Sequence, residues 1–367
     1  MDTAIIGGGV IGFACAAALA RRGRSVVILE QHRQPGQEAT SRNSEVIHAG
    51  LYYPPGSLKA STSVEGRARL YERCRALRIP HRRTGKLVVA VEESELELLE
   101  SLRAQGTANG VSGLEILEAR EVARREPRVR AAAALWSPDT GIVDSHQLCS
   151  SYQAEAERHG AQLALATRVV SLERTGSGWR LETLGPDLGR FQLEAASVVN
   201  AAGISAGGIA RAAGLDLEAI GYRVHLCKGD YFSLSPALGP ITRHLVYPLP
   251  TPAGLGIHVT FDLGGCYRLG PDAEYVEEPS LEVDPARATH FAEVARRYLP
   301  ELRASQLSPA FAGIRPKLQG RGEPFRDFVI EEASVHGAPG LVNLLGIESP
   351  GLTASAAIAE RVAALLA

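Results

Sequence analysis

The chain has 367 residues, 45% of them hydrophobic and 22% charged, with 39 basic against 41 acidic side chains and a formal net charge of −2. That is about two domains' worth of an ordinary globular chain at roughly 100–200 residues each, with no overall basic field to attract nucleic acid or an anionic membrane surface. Its cysteines, Cys15, Cys74, Cys149, Cys227 and Cys266, are odd in number and have no C-x-x-C spacing, which excludes a zinc framework and predicts a reducing, cytoplasmic setting.

Residues 3–7 read as a short buried strand, 10–22 as a helix and Ser25 to Glu30 as a second strand, a βαβ unit opening at the first residues. Residues 4–20 are apolar and precede Arg21 and Arg22, as in a secretory leader, yet only Met1, Asp2 and Thr3 come before them. A leader carries positive charge ahead of its apolar run, so this segment is expected to be retained and structural. No other uninterrupted apolar run reaches the ~18 residues of a membrane span.

Residues 31–57 are a long Gly-, Pro-, Ser- and Asn-rich loop of the kind that binds something. A helix is predicted over 58–78, a strand over Lys86 to Val91, a helix from about Glu93 to Gln105 and another ending at Pro127. A strand-like run leads to Gly141–Asp144, and Ser145 is read as the cap of a helix to about His159. Thr167–Glu173 and Ser197–Ala201 read as strands, 221–275 as an antiparallel sheet and 285–298 as a helix. From Phe311 onward a loop, a strand at Val342–Leu345, a tight turn and a helix from about Thr353 are expected. Together these predict an α/β protein: a Rossmann-type dinucleotide domain (1–80, 145–218 and 311–367) with a mixed and antiparallel-sheet substrate domain (81–144 and 219–310) inserted into it twice.

Gly7-x-Gly9-x-x-Gly12 follows a strand and opens a helix, with Val10 and Ile11 inside the turn. Gly7 permits the turn, Gly9 lets the backbone approach a pyrophosphate, and Gly12 lets helix and strand pack closely. The phosphates would meet the free N–H groups of the helix N-terminus. Glu30, with Gln31 beside it, ends the second strand 18 residues after Gly12 (30 − 12), where an acid accepts from ribose hydroxyls and repels a 2′-phosphate. A second glycine cluster, Gly346-Ile347-Glu348-Ser349-Pro350-Gly351-Leu352-Thr353, separates the last strand from the last helix. That helix N-terminus suits the polar edge of an isoalloxazine ring. The turn Asn200-Ala201-Ala202-Gly203 adds another close crossing. A nicotinamide enzyme needs no such C-terminal return, so the cofactor is read as FAD.

These motifs, in this order, resemble the D-amino-acid oxidase and glycine oxidase superfamily over essentially the whole chain. Within it, Ser41-Arg42-Asn43-Ser44-Glu45-Val46-Ile47-His48-Ala49-Gly50-Leu51-Tyr52-Tyr53 and Pro55–Ala60 are similar to L-2-hydroxyglutarate dehydrogenases and oxidases. Lys228–Phe232, Gly313-Ile314-Arg315-Pro316-Lys317 and Asn343–Ser355 match as well. Arg42 stands where that family usually has His or Gly.

The resemblance implies oxidation of a small 2-hydroxy acid, L-2-hydroxyglutarate first, to its 2-oxo acid, with an amine or amino-acid oxidase on the same fold as the alternative. It places Thr40, Ser41, Asn43 and Ser44 along the pyrophosphate and flavin, their hydroxyls and amide donating. It sets the main chain of Val169 against adenine and Gly313 beside the cofactor. It implies that Arg315 forks the substrate carboxylate, as a guanidinium can. Removing the hydroxyl proton needs a base whose ordinary pKa lies near neutrality, for which His258 is preferred, with His48 orienting. Lys228, Tyr247, Tyr53 and Lys59 are candidate donors to a distal carboxylate. The electron acceptor (O2, a quinone or an electron-transfer protein) is named by no motif.

Overall fold

The apolar stretch at residues 4–20 folds as the innermost strand and helix of the protein. In the computed structural model, which describes residues 1–187, 189–250 and 256–367, strand Thr3–Ile6 lies in a six-stranded sheet. Its neighbours are Val26–Leu29 on one side and Ser197–Asn200 on the other, all parallel. Gln162–Ala164 extends the sheet beyond 26–29, Leu341–Leu345 beyond 197–200, and antiparallel Val329–Glu332 closes that edge. Both faces of these strands are covered, which is why they read as continuous β-branched and apolar runs. Ile5, Ile28 and Val199 point to helices Val10–Ala20, Leu58–Leu77, Ser145–Arg158 and Gly351–Leu365. Ala4, Ile6, Val27 and Leu29 point to the opposite side, against helix Ala206–Ala212 and a meander of Arg168–Thr175, Gly178–Leu184 and Arg190–Ala195.

The second large sheet has nine strands. Its spine is the antiparallel pair His225–Leu234 and Leu307–Lys317, and it runs on through Val259–Phe261, Leu245–Pro248, Lys86–Ala90 and Ala133–Ser137. A small sheet of Val46–Ile47, Gly141–Val143 and His81–Arg83 joins the two halves.

Several expectations differ from this outcome. Asp144, not Ser145, caps its helix: its carboxylate accepts from Gln147 N at 2.8 Å. The 221–275 region is not wholly antiparallel, since Leu245–Pro248 runs parallel to Lys86–Ala90. Phe311 lies inside a long strand rather than a loop. Pro309 and Pro316 obscured that strand, because prolines read as strand breakers although an edge position tolerates a missing N–H. Val329–Glu332 and the second and third strands of the meander went unread.

Helices Leu58–Leu77 and Gly351–Leu365 touch through Gly66, where a Cβ would collide with the Thr353 carbonyl oxygen. Both partners are backbone, so nothing there rotates aside. Gly66→Val is expected to cost about 1–3 kcal/mol or more by overpacking, read as a lower denaturation midpoint with a parallel loss of bound flavin.

Candidate active site

In open α/β sheets ligands bind beyond the carboxyl ends of the strands, where strand order reverses. Here those ends deliver Gly7, Glu30, Ala201 and the 346–352 turn to one rim. Facing that rim, the second sheet contributes Tyr231, Tyr247, His258 and Arg315, and the space between is a cleft of about 720 Å³.

At the dinucleotide end, Gly7 has φ +113°, and a Cβ on it would strike the Ala201 carbonyl. A Cβ on Gly12 would strike the Gly7 carbonyl, so these two glycines set the backbone crossing, and Gly12 itself does not reach the cleft. Gly9, Val10 and Ile11 line it, and the helix starts at Gly9 with no side-chain cap. The Thr40 hydroxyl accepts from Val10 N at 3.1 Å, pinning the loop across the helix start while leaving other first-turn N–H groups for an anion. Glu30 is buried and accepts from Gly8 N and His32 N, each at 2.7 Å. Each carboxylate oxygen retains a lone pair for a ribose hydroxyl. Gln31 lines the cleft and donates to Glu38 at 3.1 Å. Val169 lies in the wall beside a register shift in its strand, and Ala202, Gly203 and Gly313 lie in the wall too. Gly313 has no room for a Cβ against the Arg42 carbonyl.

The loop residues divide. Ser44 lines the cleft and shares a hydrogen bond with Tyr231 at 2.9 Å. Asn43 lines it too, but its amide donates to the Ala39 and Thr40 carbonyls and its oxygen accepts from Glu45 N. It therefore acts as a loop brace and not as the free donor expected. Ser41 is turned out of the cleft, its hydroxyl on the Glu38 carbonyl.

At the flavin end, Ile347, Glu348, Gly351 and Leu352 line the cleft, and helix Gly351–Leu365 also begins without a side-chain cap. Gly346, at φ +70°, makes the turn behind them. Thr353 is buried behind the wall, its hydroxyl accepting from His48 N and donating to the Val46 carbonyl. Only its main-chain N–H is left for a ligand. Glu348 sits between Lys59 Nζ at 2.9 Å and Lys317 Nζ at 3.5 Å. Burial would push its carboxyl up, but the two ammonium groups outweigh burial and hold it below its ordinary value.

Arg315 reaches the cleft from the 307–317 strand. Its Nε donates to the Cys227 carbonyl, and Nη2 donates to the carbonyls of Lys228 and Asp272. Among the described residues only Nη1 is left without a partner, so the fork expected for a carboxylate reduces to the two hydrogens of one nitrogen. The Nδ1 of His258 lies 2.9 Å from the Gly256 carbonyl. A carbonyl only accepts, so Nδ1 carries the proton and Nε2 the lone pair. His48 Nε2 lies 3.2 Å from Ser349 Oγ, which is also 3.3 Å from Tyr53 OH. Burial, then the charge of Lys86 and the neighbouring His258, push His48 down to about 3. Burial chiefly, with Lys86 and Arg315, pushes His258 to about 3. Both rings are therefore neutral at pH 7, well below the near-neutral titration expected of an ordinary histidine.

Tyr53, Lys59 and Tyr247 line the cleft. Lys228 does not. Alternation along its strand turns Gly229 and Tyr231 inward and Lys228 outward, where its Nζ meets Asp230 at 3.1 Å and the Glu282 carbonyl. Sequence reasoning passed over Ser349, Tyr52, Tyr231 and Lys86. Ser349 lay inside the quoted glycine cluster, and Lys86 is one of only four lysines in the chain, set in an apolar strand. Among the buried polar atoms without a partner in the described residues are Arg42 Nε, His48 Nδ1, Tyr52 OH and Lys86 Nζ. All four line or back the cleft. Such groups at a cleft are available to a polar ligand, and uncapped helix starts, glycine crossings and the Glu30 carboxylate fit FAD.

The chain belongs to the FAD dependent oxidoreductase family DAO, matched over residues 2–365. It is 41% identical over 400 positions to the mitochondrial L-2-hydroxyglutarate dehydrogenase of Arabidopsis thaliana, spanning 99% of this chain and 83% of that one. Glycerol 3-phosphate dehydrogenase of Caloramator mitchellensis is 32% identical over 100% of this chain and 73% of its own. Among solved structures, dithionite-reduced L-alpha-glycerophosphate oxidase of Mycoplasma pneumoniae with FAD bound superposes with a TM-score of 0.89 at 27% identity, covering 100% and 94%. Glycine oxidase of Geobacillus kaustophilus shares the fold with a TM-score of 0.81 at 24% identity, covering 100% and 94%. FAD is the cofactor, and the enzyme is an oxidoreductase.

Glu30→Ala removes an acceptor worth about 1–3 kcal/mol when buried. FAD affinity is expected to fall roughly 5- to 150-fold, measured by titrating apoprotein with FAD; unchanged affinity would remove Glu30 from the ribose site.

Proposed function

We propose that this enzyme oxidises L-2-hydroxyglutarate to 2-oxoglutarate. One observation carries the reading: a guanidinium with one nitrogen left over, Arg315 Nη1, shares a cleft wall with a neutral imidazole whose tautomer leaves Nε2 as acceptor. That pair suits a carboxylate beside a hydroxyl. The identity to L-2-hydroxyglutarate dehydrogenases over the whole chain supports the same substrate.

FAD, when bound through the Gly7–Gly12 turn, Glu30, the Val169 main chain, Ala202–Gly203 and the 346–352 turn, supplies the acceptor for the Cα hydride. Arg315 Nη1 holds the 1-carboxylate, since a carboxylate moved out of water needs a cation in return. His258 Nε2 takes the hydroxyl proton, and its Nδ1–H, anchored on the Gly256 carbonyl, fixes the ring. His48, held between Thr353 and Ser349, orients the substrate. Tyr53, Tyr247 and Lys59 face the distal carboxylate. Burial chiefly keeps both tyrosines protonated, as donors, at any physiological pH. We further propose the division into a discontinuous FAD unit (1–80, 145–218, 311–367) and a substrate unit (81–144, 219–310). A cytoplasmic setting is consistent with five unpaired cysteines, and no helix among the described residues is long and apolar enough to cross a membrane.

Anaerobic flavin bleaching against L- and D-2-hydroxyglutarate, lactate, glycerol 3-phosphate, glycine and sarcosine tests the substrate. L-2-hydroxyglutarate should bleach fastest; bleaching only by an amine would establish the amino-acid oxidase alternative, and only by glycerol 3-phosphate a phosphate-binding site. Arg315→Met is expected to lower kcat/KM about 10²- to 10³-fold with flavin content unchanged. Because His258 is neutral in the free enzyme down to about pH 3, kcat/KM should show no acid limb near 6.5, that is, no loss as pH falls through it. A limb there that His258→Ala removes would contradict the burial argument.

A further inference from the structure

Lys86 opens the strand Lys86–Ala90 and is 0% exposed. Its Nζ has no hydrogen-bond partner among the described residues. The ammonium lies 4.3 Å from the centre of the Tyr52 ring and 4.6 Å from that of Tyr247. Tyr247 in turn stacks on His258, with ring centres 3.8 Å apart and 13° between planes. A lysine is thus held dry behind the aromatic wall of the substrate cleft, facing two tyrosines that line it and the ring proposed as base. Cation–π contact repays a fraction of the desolvation of an ammonium, and an apolar side chain at this strand position would give a more stable fold. A buried charge kept at a cost to stability beside a functional cleft points to a role there.

We propose that Lys86 is the buried countercharge of the substrate site, a positioning residue whose ammonium form, acting through Tyr52 and Tyr247, sets the affinity of the cleft for anions. Arg315 binds a carboxylate directly, whereas Lys86 touches no substrate. It supplies positive potential through a medium that screens poorly, where a single charge across an aromatic ring changes affinity on the order of tenfold. It also disfavours an imidazolium at His48 and His258, which keeps both rings as acceptors.

The groups facing Lys86 identify it as the one that titrates near neutrality. Tyr52 and Tyr247 are pushed far up by burial and remain neutral, while His48 and His258 are pushed to about 3. Its cross-strand neighbours, Ser137 and Leu245, carry no charge. Burial brings Lys86 itself down to about 7. The charged, anion-binding form is therefore present below about pH 7 and lost above it.

The inference rests on the substrate being an anion. The test uses FAD-loaded enzyme and reads kcat and KM for L-2-hydroxyglutarate, and Kd for 2-oxoglutarate from the flavin spectrum, between pH 6 and 9. For the natural enzyme KM should rise through about pH 7 and level off on the order of tenfold higher, while kcat should not fall, since losing the Lys86 charge also eases protonation of His258. Lys86→Met should show the high KM already at pH 6, without the pH step. Its melting temperature should exceed that of the natural enzyme below pH 7, the gain shrinking as pH climbs toward 10, because only the unfolded chain then keeps the lysine proton. A Lys86→Met enzyme with low KM and the pH step intact overturns the proposal, as does one that melts lower with its pH profile unchanged. If the variant fails to fold, a pH-independent KM and Kd in the natural enzyme overturns it equally. Should no hydroxy acid bleach the flavin, the substrate reading has failed, and Kd for 2-oxoglutarate and glycerol 3-phosphate over the same pH range still decides Lys86: a tenfold step supports it and a flat line overturns it.

Discussion

Two backbone crossings hold everything else in place. Gly12 lies against the Gly7 carbonyl, and Gly7 lies against the Ala201 carbonyl, each without room for a Cβ. The first crossing fixes the helix Val10–Ala20 tightly over strand Thr3–Ile6, so its uncapped N-terminus faces the end of the sheet. The second brings the 200–203 turn to the same rim. Glu30 then ties the loop after Gly7 to the end of the next strand through Gly8 N. Three chain segments meet there, two of them main chain against main chain at a distance that glycine alone permits.

Around this rim the protein keeps unusual charges dry. Glu348 is paired with Lys59 and Lys317, whereas Arg315 has three donors tied to carbonyls and no carboxylate partner among the described residues. The cleft therefore carries a positive charge at its chemical end and, beside it, a cluster of two lysines and one carboxylate. Both histidines are neutral for the same reason that burial brings Lys86 down: desolvation disfavours their charged forms. A substrate anion entering this space restores the balance, and substrate affinity and the protonation of the wall are linked.

The Rossmann motif, the ribose acid and the second glycine cluster were all legible in the chain because backbone geometry is written in local residues. A turn that needs positive φ or a missing Cβ selects glycine in one place, and the spacing to the next strand follows from helix length. The long strand Leu307–Lys317 and the meander 168–195 were less legible: prolines interrupted the one, and polar, half-exposed faces blurred the period of the other.

Which side chains face the cleft was settled by strand alternation and by competition for hydrogen bonds. Lys228 and Gly229 are neighbours in sequence, yet the pleat turns one outward to Asp230 and the other inward. Ser41 and Asn43 carry suitable donors but satisfy carbonyls of their own loop. His258 and His48 look like ordinary near-neutral bases until packing removes the water that would solvate their charged forms. The sequence by itself determined the cofactor, because its recognition rests on local backbone turns. Only the tertiary structure decided the ionisation of the site and the residues that own it, because burial and long-range pairing are properties of the folded whole.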